Sequence, residues 1–403
     1  MDGMRQRRIP APLTRTLVIR LTMRVSTRSW TQQDGWDQPL PASAATSADR
    51  LLVLACCDPR ADSRPAIDDL LASYPGAAVL ACSTAGSICG GQVSDVAASV
   101  SIVEFRTATV TAAMVRLSDP RESRATGQRL ARILLGSENE RPAAVLVISD
   151  GLIVNGSDLV TGMAEVLPDE VPISGGLAGD GPDFERTWVS LGSERVHDGV
   201  LGIALRGQGL RVGHGSEGGW QGFGPHRRIT ASQGSTLLEL DGKPALDIYR
   251  DYLGEFAAEL PSSALLFPLR IISPDGDVSL VRTVLSVDAE QHSMRFAGDV
   301  PQGWRAQLMR TSFDRLLDGA GRAAQESVRQ VPSPTWALAV SCVGRRLVLG
   351  DRSDEEAEIC LDVLGEGVTL HGFYSYGEIA PVDGYSGLHN QTMTLTTLSE
   401  GPA

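Results

Sequence analysis

One unit recurs three times along this 403-residue chain and restricts its fold more than any other feature. The unit is an apolar strand, an amphipathic helix, a second apolar strand ending in a small-residue loop, and a closing strand. The first copy runs from Leu51-Leu52-Val53-Leu54 through Ile67, Leu70, Leu71 and Tyr74 to Val79-Leu80-Ala81-Cys82-Ser83-Thr84-Ala85-Gly86, then closes with Val100 to Phe105. The second leads from Ala144 to Ile148 through Leu159, Met163, Val166 and Leu167, with Ser157 as N-cap, to Val171-Pro172-Ile173-Ser174-Gly175-Gly176-Leu177-Ala178-Gly179-Asp180. It closes with Val200 to Leu205. The third leads from Trp336 to Ser341 through a Ser353/Glu356 capping box and a helix to Val368. It then passes through Gly372-Phe373-Tyr374-Ser375-Tyr376-Gly377-Glu378-Ile379 and closes with Met393 to Leu398.

Near-continuous apolar strands beside amphipathic helices predict an α/β protein with mixed sheets covered by helices. Ligands of such folds meet loops at strand ends, although Gly and Ser also serve simply to permit tight turns. Between the second and third copies, Gly213 to Gly224 holds six glycines and is bounded by Pro225, which marks a domain boundary and a pivot. The resulting division is a leader or misplaced start over 1–29, an N-terminal domain over 30–224 and a C-terminal domain over 225–403. Within the last, a helix is expected over Pro244 to Leu253. A hairpin is expected from Val281 to Val287 and Ser293 to Ala297, and a long helix from Arg305 to about Ser327.

With 36 basic against 49 acidic residues the net charge is −13, which disfavours nucleic acid and anionic membrane as partners. Only Lys243 among the basic residues is a lysine, the mark of a GC-rich genome. No apolar run approaches the roughly 20 residues of a membrane span. Six cysteines (Cys56, Cys57, Cys82, Cys89, Cys342, Cys360) show neither C-x-x-C nor zinc spacing, so reduced, buried thiols in a cytoplasm are expected. The first 22 residues carry five arginines and one acid without a signal-peptide pattern; a start at Met23 is the simpler account.

Common catalytic signatures are missing. There is no H-E-x-x-H; Gly242-Lys243 continues into Pro244 and lacks the first P-loop glycine, with Leu237 in its place; Gly207-x-Gly209 lacks the third glycine of a dinucleotide fingerprint; and Phe373 stands where a nucleophile elbow around Ser375 needs glycine. A triad assembled from distant positions needs no motif, so Ser83 and Ser375 stay open as hydrolase nucleophiles. The histidines His197, His214, His226, His292, His371 and His389 are not paired at metal-ligand spacing. His389, in His389-Asn390-Gln391-Thr392-Met393-Thr394, stands about ten residues after the Ser375 to Glu378 loop and is the candidate haem axial ligand or ligand contact, against a structural role. Asp180 and Glu378 occupy matching places in two copies and could cap, contact a ligand or face water.

The run from Gly372 to Pro381, followed by His389 to Thr394, closely resembles the C-terminal signature of the FIST sensory-domain family. Cys82 to Gly86 and Gly175-Gly176-x-x-Gly179-Asp180 resemble its N-terminal half, and Leu240-Asp241-Gly242-Lys243-Pro244-Ala245 the entry to its C-terminal half. The first copy departs by placing Ser87 where the third has an acid. The resemblance covers residue 30 to the end. It implies paired FIST N-terminal and C-terminal α/β domains in a bacterial intracellular ligand sensor, associated with histidine kinases, cyclic-di-GMP enzymes or chemoreceptors. Some members bind haem and sense nitric oxide; others take amino-acid-like ligands.

The expected function is therefore small-ligand sensing, with haem b as candidate cofactor and a histidine kinase or cyclic-di-GMP enzyme acting in trans. The expected ligand residues are Ser83, Thr84, Gly86, Gly175, Gly176, Gly179, Asp180, Ser375, Tyr376, Gly377, Glu378, Asn390 and Gln391. An enzyme and a purely protein-binding scaffold are the alternatives.

Overall fold

A computed structural model describes residues 23–136, 141–260, 262–382 and 384–401. The three copies build three sheets of one topology. Leu51–Cys57 runs parallel to Ala78–Ser83 and antiparallel to Ala98–Glu104. Ala144–Ser149 stands likewise between Ile173–Leu177 and Gly199–Arg206, and Trp336–Cys342 between Thr369–Ser375 and Met393–Glu400. These strands are buried along their whole length, which explains their lack of polar alternation.

Each copy then gives a strand to another copy's sheet. Ser87–Cys89 of the first pairs with Thr369–Ser375, Val189–Leu191 of the second with Ala78–Ser83, and Gly377–Val382 of the third with Ile173–Leu177. At the opposite edges Arg24–Thr31, Thr109–Arg116 and Leu210–Glu217 pair with the three closing strands. The exchange closes into a ring of three. Its axis is packed by Leu52, Leu54 and Leu80 from the first sheet, Leu146, Ile148 and Leu201 from the second, and Leu338, Val340 and Phe373 from the third.

Helices cover the outer faces. Arg64–Ser73 starts on Pro65, whose fixed φ suits a first turn, and buries Ala66, Ile67 and Leu70 against the first sheet. Ser123–Leu135 and Gly156–Ala164 cover the second sheet, and Phe313–Gln330 and Ser353–Leu364 the third. The chain is thus α/β with mixed sheets covered by helices, as the repeat predicts.

Residues 221–310 form an inserted unit with its own sheet, one α-helix (Ala245–Leu253) and a separate core around Ile229, Leu237, Tyr249, Ile271, Met294 and Phe296. Several local expectations change. The long helix from Arg305 divides into a strand, Arg305–Arg310, and a helix, Phe313–Gln330; alternate burial of Ala306 and Leu308 gives the strand its period of two. Asn155, not Ser157, caps the second-copy helix, its side chain accepting from the Ser157 and Asp158 amides. Glu356 forms no capping box with Ser353, because it is buried in an ion pair with Arg345.

The glycine-rich stretch is itself mostly strand, divided between Leu210–Glu217 of the third sheet and Gln221–Gln233 of the insert. Its glycines permit close packing: a Cβ at Gly215 would lie 1.8 Å from the Ala323 carbonyl. The junction is held by Trp220 Nε1, which donates to the Gln391 carbonyl at 2.9 Å. Of the stretch read as a leader, residues 24–29 lie in the strand Arg24–Thr31; residues 1–22 fall outside the described residues.

Candidate functional site

The three small-residue loops meet at one end of the axis, and the backbone ties them together. The Ala85 amide donates to the Tyr374 carbonyl at 2.9 Å, the Gly179 amide to Ser83 at 3.1 Å, and the Tyr376 amide to Leu177 at 3.1 Å. Room there is minimal. A Cβ on Gly179 would lie 3.0 Å from Ala85, and one on Gly175 (φ +139°) would lie 1.9 Å from the Val147 carbonyl.

Most of the predicted ligand residues are sealed between the sheets. Ser83 Oγ accepts the Trp188 amide at 3.0 Å, and Thr84 Oγ1 accepts the Gly86 amide at 3.3 Å. Gly86 faces the Arg346 guanidinium, and Gly176 packs on Val340. Glu378 is fully buried and accepts from Ser375 Oγ at 3.0 Å, Thr392 Oγ1 at 2.9 Å and the Thr392 amide at 3.1 Å. Burial pushes its pKa up to about 8 despite those donors. Ser83 and Ser375 are thus enclosed, and Ser375 donates to a carboxyl that itself lacks solvent access. Asn390 is fully buried with both amide atoms unpartnered, close behind Gly377. Gln391, at φ +62°, donates to the Leu265 carbonyl at 3.3 Å.

Asp180 and Tyr376 are nearly buried but each forms part of a cavity wall. The Asp180 carboxylate accepts the amides of Phe184 (3.0 Å), Glu185 (2.8 Å) and Arg186 (2.6 Å), and the Tyr376 hydroxyl donates to it. This folds 180–186 into a compact turn in which Phe184 takes φ +53°, an uncommon state for a bulky residue. Phe184 stacks on Tyr376, and both rings line a cavity of about 320 Å³ between the threefold core and the insert. The core side is the Gly151–Gly156 loop with Leu177; the insert side is Ser235, Leu285 and Arg295 to Gly298. Gly151 leaves no space for a side chain, since a Cβ would lie 1.9 Å from the Ala178 carbonyl. Past Phe184 and Leu285 a second, mostly apolar hollow of about 430 Å³ reaches Leu266, Leu347 and Val348.

Sequence patterns did not point to Phe184, Leu285, Ser235 or Arg295, because strands from two separately packed units create this cleft. The lone aromatic in Gly181-Pro182-Asp183-Phe184 was the one available signal.

His389 Nε2 donates to the Ala380 carbonyl at 3.2 Å, and the residue lines neither hollow of the cleft. His214 differs. Both its ring nitrogens are buried without partners, burial pushes its pKa down to about 4 so the imidazole is neutral, and it lines a cavity of about 670 Å³ with Gln330, Pro168 and Tyr385. Among the described residues no group of three or more His, Cys, Asp or Glu could hold a metal ion, and no helix is long and apolar enough to cross a membrane. All six cysteines are free thiols, and burial pushes Cys57 up to about 12.

The fold is a ring of α/β repeats with an inserted unit and a cleft between them. The chain belongs to the FIST family: it matches the FIST N domain over residues 51–243 and the FIST C domain over 245–381. FIST domains are associated with sensing in signal transduction. The chain is 25% identical over 232 residues to the uncharacterized protein Rv0628c of Mycobacterium tuberculosis, covering 55% of this chain and 60% of that one. It is 24% identical over 238 residues to the uncharacterized protein Mb0898c of Mycobacterium bovis (55% and 59%), and 27% identical over 166 residues to the uncharacterized protein MJ1623 of Methanocaldococcus jannaschii (36% and 31%). The chain thus spans 60% of the length of the first of these relatives and less of the others.

Proposed function

We propose that this protein is a small-ligand sensor whose ligand occupies the cleft between core and insert, and that binding there alters its contacts with a separate signalling enzyme such as a histidine kinase or cyclic-di-GMP enzyme. The carrying observation is that the cleft walls belong to two units with separate cores, bridged at Phe184 and Leu285. A ligand touching both favours the arrangement in which both contacts are made, and a few kcal/mol of differential affinity suffices to change a partner's occupancy. Walls that mix apolar side chains such as Leu285 and Phe184 with the polar groups of Asn155, Ser235 and Arg295 suit an organic molecule, including the amino-acid-like class.

The test is a thermal-shift screen of small organic molecules against wild type and Leu285→Trp, which fills the cleft. Hits that shift wild type and not the variant support the site. Those hits must then change the activity of a co-expressed candidate kinase or cyclase. Hits unaffected by Leu285→Trp, or turnover of a small molecule by this chain alone, would overturn the reading.

One observation favours a haem version: the unpartnered imidazole of His214 beside a cavity in the size range of cofactor pockets. Haem bound there would supply an iron for nitric oxide, with His214 as its protein ligand. Haem titration should give a Soret band that shifts in His214→Ala and not in His389→Ala. The reverse pattern would return the role to His389.

A further inference from the structure

The ring of three places three equivalent sockets around its axis, each between the loop after one copy's first strand and the turn entering from another copy. The second-copy socket is the cleft just described. In the third-copy socket Arg346 fills the space: its Nη1 donates to the Ala85 carbonyl at 2.6 Å and to Asp95 at 2.8 Å, and a Cβ on Gly86 would lie 2.4 Å from that nitrogen. The first-copy socket is open. It is a cavity of about 640 Å³ between the Pro59–Arg64 loop and the 180–188 segment.

The charges in this open socket are unevenly committed. Arg60 is held by Asp58 through two bonds of 3.0 and 3.2 Å, and Arg64 by Asp62 through bonds of 2.8 and 2.9 Å. Asp180 is used by the three backbone amides and Tyr376. Arg186 and Arg195 have no carboxylate within 4.0 Å among the described residues. Arg186 Nη2 lies 3.2 Å from His197 Nε2, and Arg195 Nη2 donates to Ser63 Oγ at 3.0 Å while its guanidinium stacks 3.7 Å above Trp188.

His197 fixes the donor pattern. Its Nδ1 is 2.7 Å from the Thr187 carbonyl and therefore carries the proton, leaving Nε2 to accept from Arg186. Arg195 is oriented by its stack on Trp188 and by Ser63, and partial burial lowers its pKa, a cost that an anion beside it would offset. Asp183 and Glu185 are exposed, where water and salt screen them.

We infer that the open first-copy socket is a second ligand site, which binds a small oxyanion, carboxylate or phosphate, between Arg186 and Arg195. Two guanidinia without carboxylates, in a cavity equivalent by the ring's topology to the cleft, have the planar donor geometry that such groups take. The topological equivalence leans on the cleft reading, but no residue lines both cavities, so the anion site can be tested by itself.

Calorimetric titration of the full chain with inorganic phosphate and, separately, succinate tests it at constant ionic strength. Saturable binding of either anion is expected, with the one that binds naming the class. Arg186→Gln, at an exposed position, should weaken it about tenfold or more, and Arg195→Gln likewise, provided its melting curve matches wild type. Leu285→Trp should leave anion affinity unchanged, separating this result from failure of the cleft reading. The inference is overturned if neither anion binds wild type saturably, or if Arg186→Gln keeps wild-type affinity for the anion that does.

Discussion

The ring of Phe184 lies flat on that of Tyr376, centroids 4.3 Å apart and planes 12° from parallel. The Tyr376 hydroxyl also accepts the Phe184 amide at 3.2 Å and donates to Asp180. The stack therefore joins the third-copy turn to the second-copy turn at the mouth of the cleft. Tyr376→Phe keeps the stack and removes the hydroxyl. Because Asp180 retains three amide donors, the expected loss is about 1 kcal/mol, near the lower end of the cost of an unsatisfied buried group. Urea unfolding measures it; an unchanged midpoint would mean that the hydroxyl holds nothing.

Arg345 and Glu356 form an ion pair with no solvent exposure, Nη2 to Oε1 2.5 Å. Ser341 Oγ and the Tyr374 hydroxyl also donate to Glu356, at 2.9 and 3.0 Å, and Arg345 reaches the Leu316 carbonyl at 2.7 Å. Glu356→Ala leaves the guanidinium buried and uncompensated, for an expected loss of about 3–5 kcal/mol. Adding Arg345→Met should recover a substantial part of that loss in the same denaturant assay, and a purely additive double variant would contradict the pairing.

Stability should peak between pH 6 and 7. Burial pushes His214, His371 and His389 down to about 4, so the unfolded chain binds their protons more tightly and stability is lost as pH falls from about 6.5 towards 4. Glu378 acts oppositely. With its folded pKa pushed up to about 8, its contribution is fully present below the unfolded value of about 4.3 and is lost as pH rises towards 8. Three histidines outweigh one carboxyl on the acid side, and Glu378 governs the decline from 6.5 to 8. Urea midpoints from pH 4.5 to 8.5 should show the peak, and Glu378→Gln should flatten its alkaline limb. An equal decline in both proteins would exclude Glu378 as its source.

Asn390 carries an amide that is fully buried and unpartnered at both ends. Leucine has a similar shape without the polar atoms, so Asn390→Leu should raise the unfolding free energy by about 1 kcal/mol. A loss of that size would instead indicate that the amide is paired in solution, as by an ordered water.

The apolar strands Leu51–Cys57, Ala144–Ser149 and Trp336–Cys342 and the loops after their partners were legible in the sequence, because full burial requires unbroken hydrophobic runs and tight turns require small residues. The same local pattern identified the FIST resemblance. It did not reveal that Ser87–Cys89, Val189–Leu191 and Gly377–Val382 each leave their own copy for another's sheet, since strand exchange adds no local periodicity. Nor did it separate Glu378, enclosed by Thr392 and Ser375, from Asp180, which orders the turn beside two cavities. Both are buried acids beside a glycine, and their partners distinguish them: backbone amides of a turn at a cavity wall for Asp180, Ser375 and Thr392 between the sheets for Glu378. Strand, helix and turn were thus determined by the sequence through nearest-neighbour physics, whereas the sockets, and which residues reach them, were decided by tertiary packing that joins distant positions, such as Asp180 and Tyr376, 196 residues apart, and Ala85 and Arg346, 261 apart.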